Sequence, residues 1–115
     1  MDFRWFNYRR ALDAFELKDY RTAARLLEEI VAEHPDAIEP RLLLARSYYH
    51  SASLQPAVDQ LRVIVEADPT ETYARLLLAR TLERQSKHEE AAPHRKLVAA
   101  LTGDDSLLQH HRPGQ

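Results

Sequence analysis

The six residues Arg41-Leu42-Leu43-Leu44-Ala45-Arg46 recur unchanged at Arg75-Leu76-Leu77-Leu78-Ala79-Arg80, 34 residues further along the chain. The same offset carries Ala11 onto Ala45 and Ala79, Ala23 onto Ala57 and Ala91, Ile30 onto Ile64 and Val98, and Pro35 onto Pro69. A fixed period with small residues at fixed places marks a stack of supersecondary units, none of which can bury its apolar face alone. With only 2 glycines in 115 residues and no low-complexity stretch, the chain reads as one all-α domain.

Apolar residues at steps of three and four predict helices over about 4–17, 20–33, 38–51, 54–67, 72–85 and 88–101. They pair into units of roughly 4–37, 38–71 and 72–105, each a first helix (A), a tight turn and a second helix (B). Asp19 is expected to cap the first B helix, and Asp36 with Glu39 and Ser86 with Glu89 have capping-box spacing. Pro35 and Pro69 end units, and Gly103 stands at the third such place. Pro56 falls in a first turn, where its missing N–H costs nothing, but Pro93 lies inside the last B helix and predicts a kink. Charge replaces a recurring leucine twice: Arg10 stands where Leu44 and Leu78 recur, and Arg95 where Leu27 and Leu61 recur. Both substitutions are expected on outer faces that no further unit covers, which makes three units the expected length of the array. Residues 106–115 are expected to form a partial capping helix through Leu107 and Leu108, then a tail from His110 to Gln115.

The net charge of −2 and a pI near 6.3 argue against a general binder of nucleic acid or anionic membranes. The chain has no cysteine, hence no disulfide framework and no thiolate site. Neither a signal-peptide pattern nor an apolar run of membrane-spanning length is present, so the expected setting is cytoplasmic. The histidines His34, His50, His88, His94, His110 and His111 form no metal-binding helix motif, and no phosphate loop or nucleophile elbow occurs. Neither catalysis nor a cofactor is expected. His88 and His94 beside Glu89 and Glu90 are read as a solvated helix start, and His50 is the one histidine placed where a ligand would pass.

Paired helices at this period, with Ala11, Ala45 and Ala79, then Ala23, Ala57 and Ala91, then Pro35 and Pro69 at their places, resemble the tetratricopeptide repeat (TPR) family. The middle unit matches best, and Gly103 departs from the family proline. The resemblance implies a short right-handed α-solenoid whose A helices line a concave groove. Trp5, Tyr8, Leu12, Phe15 and Glu16 would face that groove from the first unit, and Glu39, Leu42, Arg46, Tyr49 and His50 from the second. The third would supply Tyr73, Leu76, Arg80, Glu83 and Arg84. Five of the chain's nine aromatic residues are in this set, more than a purely structural solvated face requires. Two readings stand side by side. The rings and arginines serve a bound peptide, or the leucines and part of the aromatic set pack between A helices while Arg46 and Arg80 pair with Glu16, Glu39 or Glu83.

The carboxylate clamp of chaperone-binding family members is absent, because its places hold Tyr8, Leu12, Leu43, Tyr73 and Leu77. Capture of a heat-shock chaperone's acidic tail is therefore disfavoured. The expected function is a non-enzymatic protein-interaction module holding a peptide or protein segment in the groove. The alternative is a self-assembling homodimer, in which Leu107 and Leu108 fill a neighbour's groove, and RNA binding through Trp5, Tyr73, Arg46, Arg80 and Arg84 ranks third.

Overall fold

The structure, a computed structural model, describes residues 3–108. Six helices follow in order: α1 (Phe3–Glu16), α2 (Tyr20–Glu33), α3 (Ile38–His50), α4 (Leu54–Ala67), α5 (Thr72–Arg84) and α6 (His88–Thr102). Each packs on the next along the chain, giving an all-α solenoid of 48 × 29 × 20 Å. The expected helix limits agree with these within a residue or so. Among the described residues no helix is long and apolar enough to cross a membrane. The expected tail, His110 to Gln115, lies outside the described residues.

Alanine recurs at one buried place on every A helix and at one on every B helix. Ala11, Ala45 and Ala79 on the A helices and Ala23, Ala57 and Ala91 on the B helices are all 0% exposed. A methyl group on each side lets the two backbones approach closely, and a larger side chain would force them apart. Around these contacts the leucines fill two clusters that meet at α3: Leu43 and Leu44 join α1 and α2, while Ala45 joins α4, α5 and α6. Leu44 and Leu78, from the repeated hexamer, are the repeat-to-repeat contacts, at 2% and 0% exposure.

The outer residues of that hexamer hold the units in register. Arg41 donates from Nη2 to the Pro35 carbonyl (2.8 Å) and from Nη1 to Gln60 Oε1 (2.6 Å). Its equivalent Arg75 reaches the Pro69 carbonyl (3.2 Å) and His94 Nδ1 (3.0 Å). Each guanidinium thus ties the end of the preceding unit to the B helix of its own, a task suited to a planar donor fork. For Arg75 to donate, His94 Nδ1 must be unprotonated. Burial, and then the charges of Arg75 and Arg62, lower the His94 pKa accordingly.

All three A–B turns share one conformation that the sequence does not advertise. Lys18, Ala52 and Ser86 have φ of 62°, 60° and 64° and are related by the repeat offset. At each, two bonds close the helix: Asp19 N–H to Ala14 (2.9 Å), Ser53 to Tyr48 (2.8 Å) and Lys87 to Leu82 (2.8 Å), with a shorter loop from the left-handed residue itself. This is the Schellman arrangement, which ordinarily takes glycine because a Cβ costs about 1–2 kcal/mol there.

Several local expectations are corrected. Asp19 does cap α2, accepting from Thr22 N–H at 3.3 Å. The capping boxes do not form: α3 is capped by Ala37 and α6 by Lys87, neither with a side-chain bond. Ser86 cannot cap because the Schellman turn takes it into the left-handed region. Glu71 caps α5 instead, accepting from Ala74 N–H. α6 is helical from His88 to Thr102 with Pro93 inside it, an exposed residue whose missing N–H forfeits one helix bond, as expected. The segment after Gly103, itself a left-handed cap at φ 76°, is only a 3₁₀ turn over Asp105–Leu108. Leu107 there is half-buried and Leu108 is 51% exposed, so the expected capping helix is reduced to one turn.

Two outcomes follow. Ala52→Gly relieves the left-handed strain and should raise the urea midpoint by about 1 kcal/mol of stability with an unchanged denaturant slope; an unchanged or lower midpoint would contradict the turn. Because the folded His94 pKa lies below its ordinary value near 6.5, the unfolded chain binds more protons between the two values. Stability is then full above about pH 6.5 and falls as the pH drops towards the folded value. His94→Gln, which copies Gln60 of the second unit, should flatten that slope between about pH 7 and 5 in urea titrations.

Candidate functional site

The α1, α3 and α5 helices place equivalent residues side by side, and the ladder Phe15, Tyr49, Glu83 organises their turn ends. Over the Phe15 ring lies the Arg46 guanidinium, 4.6 Å from the centroid. Over the Tyr49 ring lies Arg84, also at 4.6 Å, and its Nη1 donates to the Tyr49 carbonyl at 2.9 Å. In both cases an arginine of one unit covers a ring of the unit before, a contact of about 0.5–2 kcal/mol depending on desolvation. Glu83 stands at the third place, and its arginine comes from its own unit. Arg95 donates from Nε to Oε2 (2.8 Å) and from Nη2 to Oε1 (2.5 Å), with both side chains nearly buried at 13% and 11% exposure.

This pair corrects two expectations. Arg95 is no bare end-face charge; only Arg10, exposed on α1 beside Phe6, behaves so. Nor is Glu83 held mainly for Arg46 or Arg80: Arg95 donates to both its oxygens. A clue was present in the sequence: a leucine lost to Arg95 and a ring lost to Glu83 are opposite charges gained in one unit, 12 residues apart.

His50 joins the rings. It stacks on Tyr20 at 4.7 Å with planes 20° apart, and meets Phe15 edge-on at 5.8 Å. Burial first, then Arg46 and Arg84, lower its pKa, so the imidazole is neutral at pH 7. Tyr20 opens α2, and its place beside His50 depends on packing that brings the start of α2 to the end of α3. The same region holds a bond between Gln85 Nε2 and Gln55 Oε1 at 2.9 Å.

The remaining expected groove residues fall into two groups. Tyr8, Leu12 and Phe15 are half-buried against the first core cluster, and Leu42 and Tyr49 against the second. Leu76 is also half-buried. These side chains form walls by packing between helices. Trp5 and Tyr73 stand clear, at 64% and 46% exposure. Glu39 is exposed near Tyr8, whose hydroxyl pKa is raised by burial and then by that carboxylate. Glu16, His50, Arg80 and Arg84 are exposed, while Arg46 is half-buried with its Nε sequestered and unbonded.

At the turn end of the third unit lies an open cleft of about 510 Å³, lined by Tyr49, Arg80, Glu83, Arg84, Ser86, His88 and Arg95. Among the described residues Arg46, Arg80 and Arg84 form no ion pair with a carboxylate. No group of three or more metal-ligating side chains that could hold an ion occurs among them either.

The tetratricopeptide repeat profile matches residues 14–81, more than half the chain. No curated protein matches it in sequence. Among solved structures, MamA from residue 41 to its end, from Desulfovibrio magneticus RS-1, is 27% identical with a TM-score of 0.79, over 84% of this chain and 55% of that one. A MamA RS-1 double mutant is 27% identical at a TM-score of 0.81, over 90% and 58%. A chain of a CopN–Scc3 complex, 18% identical, has the same fold at a TM-score of 0.79, over 93% and 59%. The chain thus spans little more than half the length of these neighbours. With the alanine crossings, the 34-residue period and a profile match over most of two units, this chain belongs to the tetratricopeptide repeat family.

Proposed function

We propose that the chain is a non-enzymatic protein-interaction module that holds a peptide or protein segment along the face made by α1, α3 and α5. The observation that carries this reading is the row Arg46, Arg80 and Arg84. Three cations share one face, two of them fixed over aromatic rings, and among the described residues none forms an ion pair with a carboxylate. Arginines held in this way offer directional donors whose ordering cost has been met by folding. Trp5 and Tyr73 add exposed rings on the same helices, the residue types that dominate binding energy at interfaces. That a similar fold occurs in a CopN–Scc3 complex supports a role in protein association.

Self-assembly is the second reading, supported by apolar side chains left bare: Phe6 (55%) on α1, Leu17 (81%) in the turn that follows it, and Leu101 (46%) on α6. The two readings place contacts on different surfaces, so one substitution separates them.

Arg80 is the residue to change. Arg46 is less suitable, because reversing its charge would also remove the cover from Phe15 at a unit junction. Peptides selected against the protein from a displayed library should lose binding to Arg80→Glu by about tenfold or more, the worth of a charge-assisted hydrogen bond. Arg25→Glu, an exposed site on α2, should leave it intact. Equal retention by both variants would move binding off this face, and concentration-dependent sedimentation lost in Leu17→Glu would favour self-assembly.

A further inference from the structure

We infer that the cleft at the turn end of the third unit is a carboxylate-binding site, which takes an acidic side chain of the segment lying along α1, α3 and α5. The inference rests on the interaction reading above and adds the chemistry of the ligand.

Charge is the first argument. The cleft wall carries Arg80, Arg84 and Arg95 against Glu83. Arg95 spends its fork on both oxygens of Glu83, so that pair is closed to a ligand and close to neutral. Arg80 and Arg84 remain as an uncompensated excess. A guanidinium has five N–H donors. Arg84 uses one of its hydrogen-bonding groups on the Tyr49 carbonyl, and Arg80 has no hydrogen bond or ion pair among the described residues.

Preorganisation is the second. Arg84 is held from two directions, by the ring beneath it and by the carbonyl of the same tyrosine. Glu83 is locked by Arg95 and cannot swing across to neutralise it. The buried pair therefore has a use beyond stability: it keeps a carboxylate of the protein away from arginines intended for a carboxylate of the partner. The neutral His50 beside Arg46 and Arg84 adds no competing anion and lies in the same positive field.

Size and charge choose the ligand. At about 510 Å³ the cleft falls in the range of sites that admit a small ligand or a few side chains. With the Glu83–Arg95 pair close to neutral, the charge the cleft offers is that of Arg80 and Arg84, which a peptide carboxylate complements. An Asp or Glu side chain satisfies the donors that Arg80 and Arg84 leave open.

The test uses two fluorescein-labelled octapeptides, one alternating Glu with Tyr and the other Gln with Tyr, against the full chain. Anisotropy should show the Glu peptide binding about tenfold tighter or more. Arg80→Gln should abolish that preference, with circular dichroism unchanged because the side chain is exposed. In ¹⁵N spectra the Arg80 and Arg84 Nε–Hε signals should move with the Glu peptide. Equal binding of the two peptides, with shifts confined to Trp5 and Tyr73, would overturn the carboxylate site while leaving the interaction face standing. Binding of neither, or a Glu preference that survives in Arg80→Gln, would overturn the site as well. Stronger displacement by a single-stranded oligonucleotide than by unlabelled Glu peptide would overturn it in favour of nucleic acid. The library selection with Arg80→Glu and Arg25→Glu tests the interaction face independently.

Discussion

Everything in this molecule is pitched by the small residue that recurs at one buried place on every A helix and at one on every B helix. Six alanines with no exposed surface set the distance between helix axes, and hence how far each unit lies from the next. A larger residue at any of them would wedge the pair apart, and the displacement would be passed to the next unit, because in a solenoid each repeat packs only on its neighbours. The leucines then fill what the alanines leave. Their burial supplies most of the hydrophobic stabilisation, at roughly 25 cal/mol per Å² of apolar surface removed from water.

Once the pitch is set, polar chemistry can be built between units. Arg41 and Arg75 reach back to a proline carbonyl at each junction and inwards to the following B helix. Arg46 and Arg84 reach back to a ring. The arginine-rich composition, 13 of 16 basic residues, thus has a structural use at the junctions. The exception is Glu83 with Arg95, where the arginine comes from the B helix of the same unit.

Helices, their limits and their pairing were legible because burial at a 3.6-residue period and the 34-residue offset are both one-dimensional signals. The leucine packing was legible for the same reason. The turns were not: Lys18, Ala52 and Ser86 adopt a left-handed conformation that favours glycine, and nothing in three dissimilar residues marks it. The Ser86 capping box was misplaced on that account. The A-helix face was legible as a set of positions, but the division within it was not. Leu12, Leu42 and Tyr49 lean into the core while Trp5 and Tyr73 stay out, a distinction that depends on which neighbouring helix covers each side chain.

The sequence by itself determined the repeat, the six helices and the family, since these follow from periodic burial and from small residues at regular crossings. Only the tertiary structure decided which arginine meets which partner. A guanidinium on a long flexible stem can reach several acceptors, and residues such as His50 and Tyr20, or Arg84 and Tyr49, lie about 30 or more residues apart in sequence, joined only by packing. The uncompensated arginines beside the third-unit cleft are therefore a property of the fold, because they exist only after Arg95 has claimed Glu83.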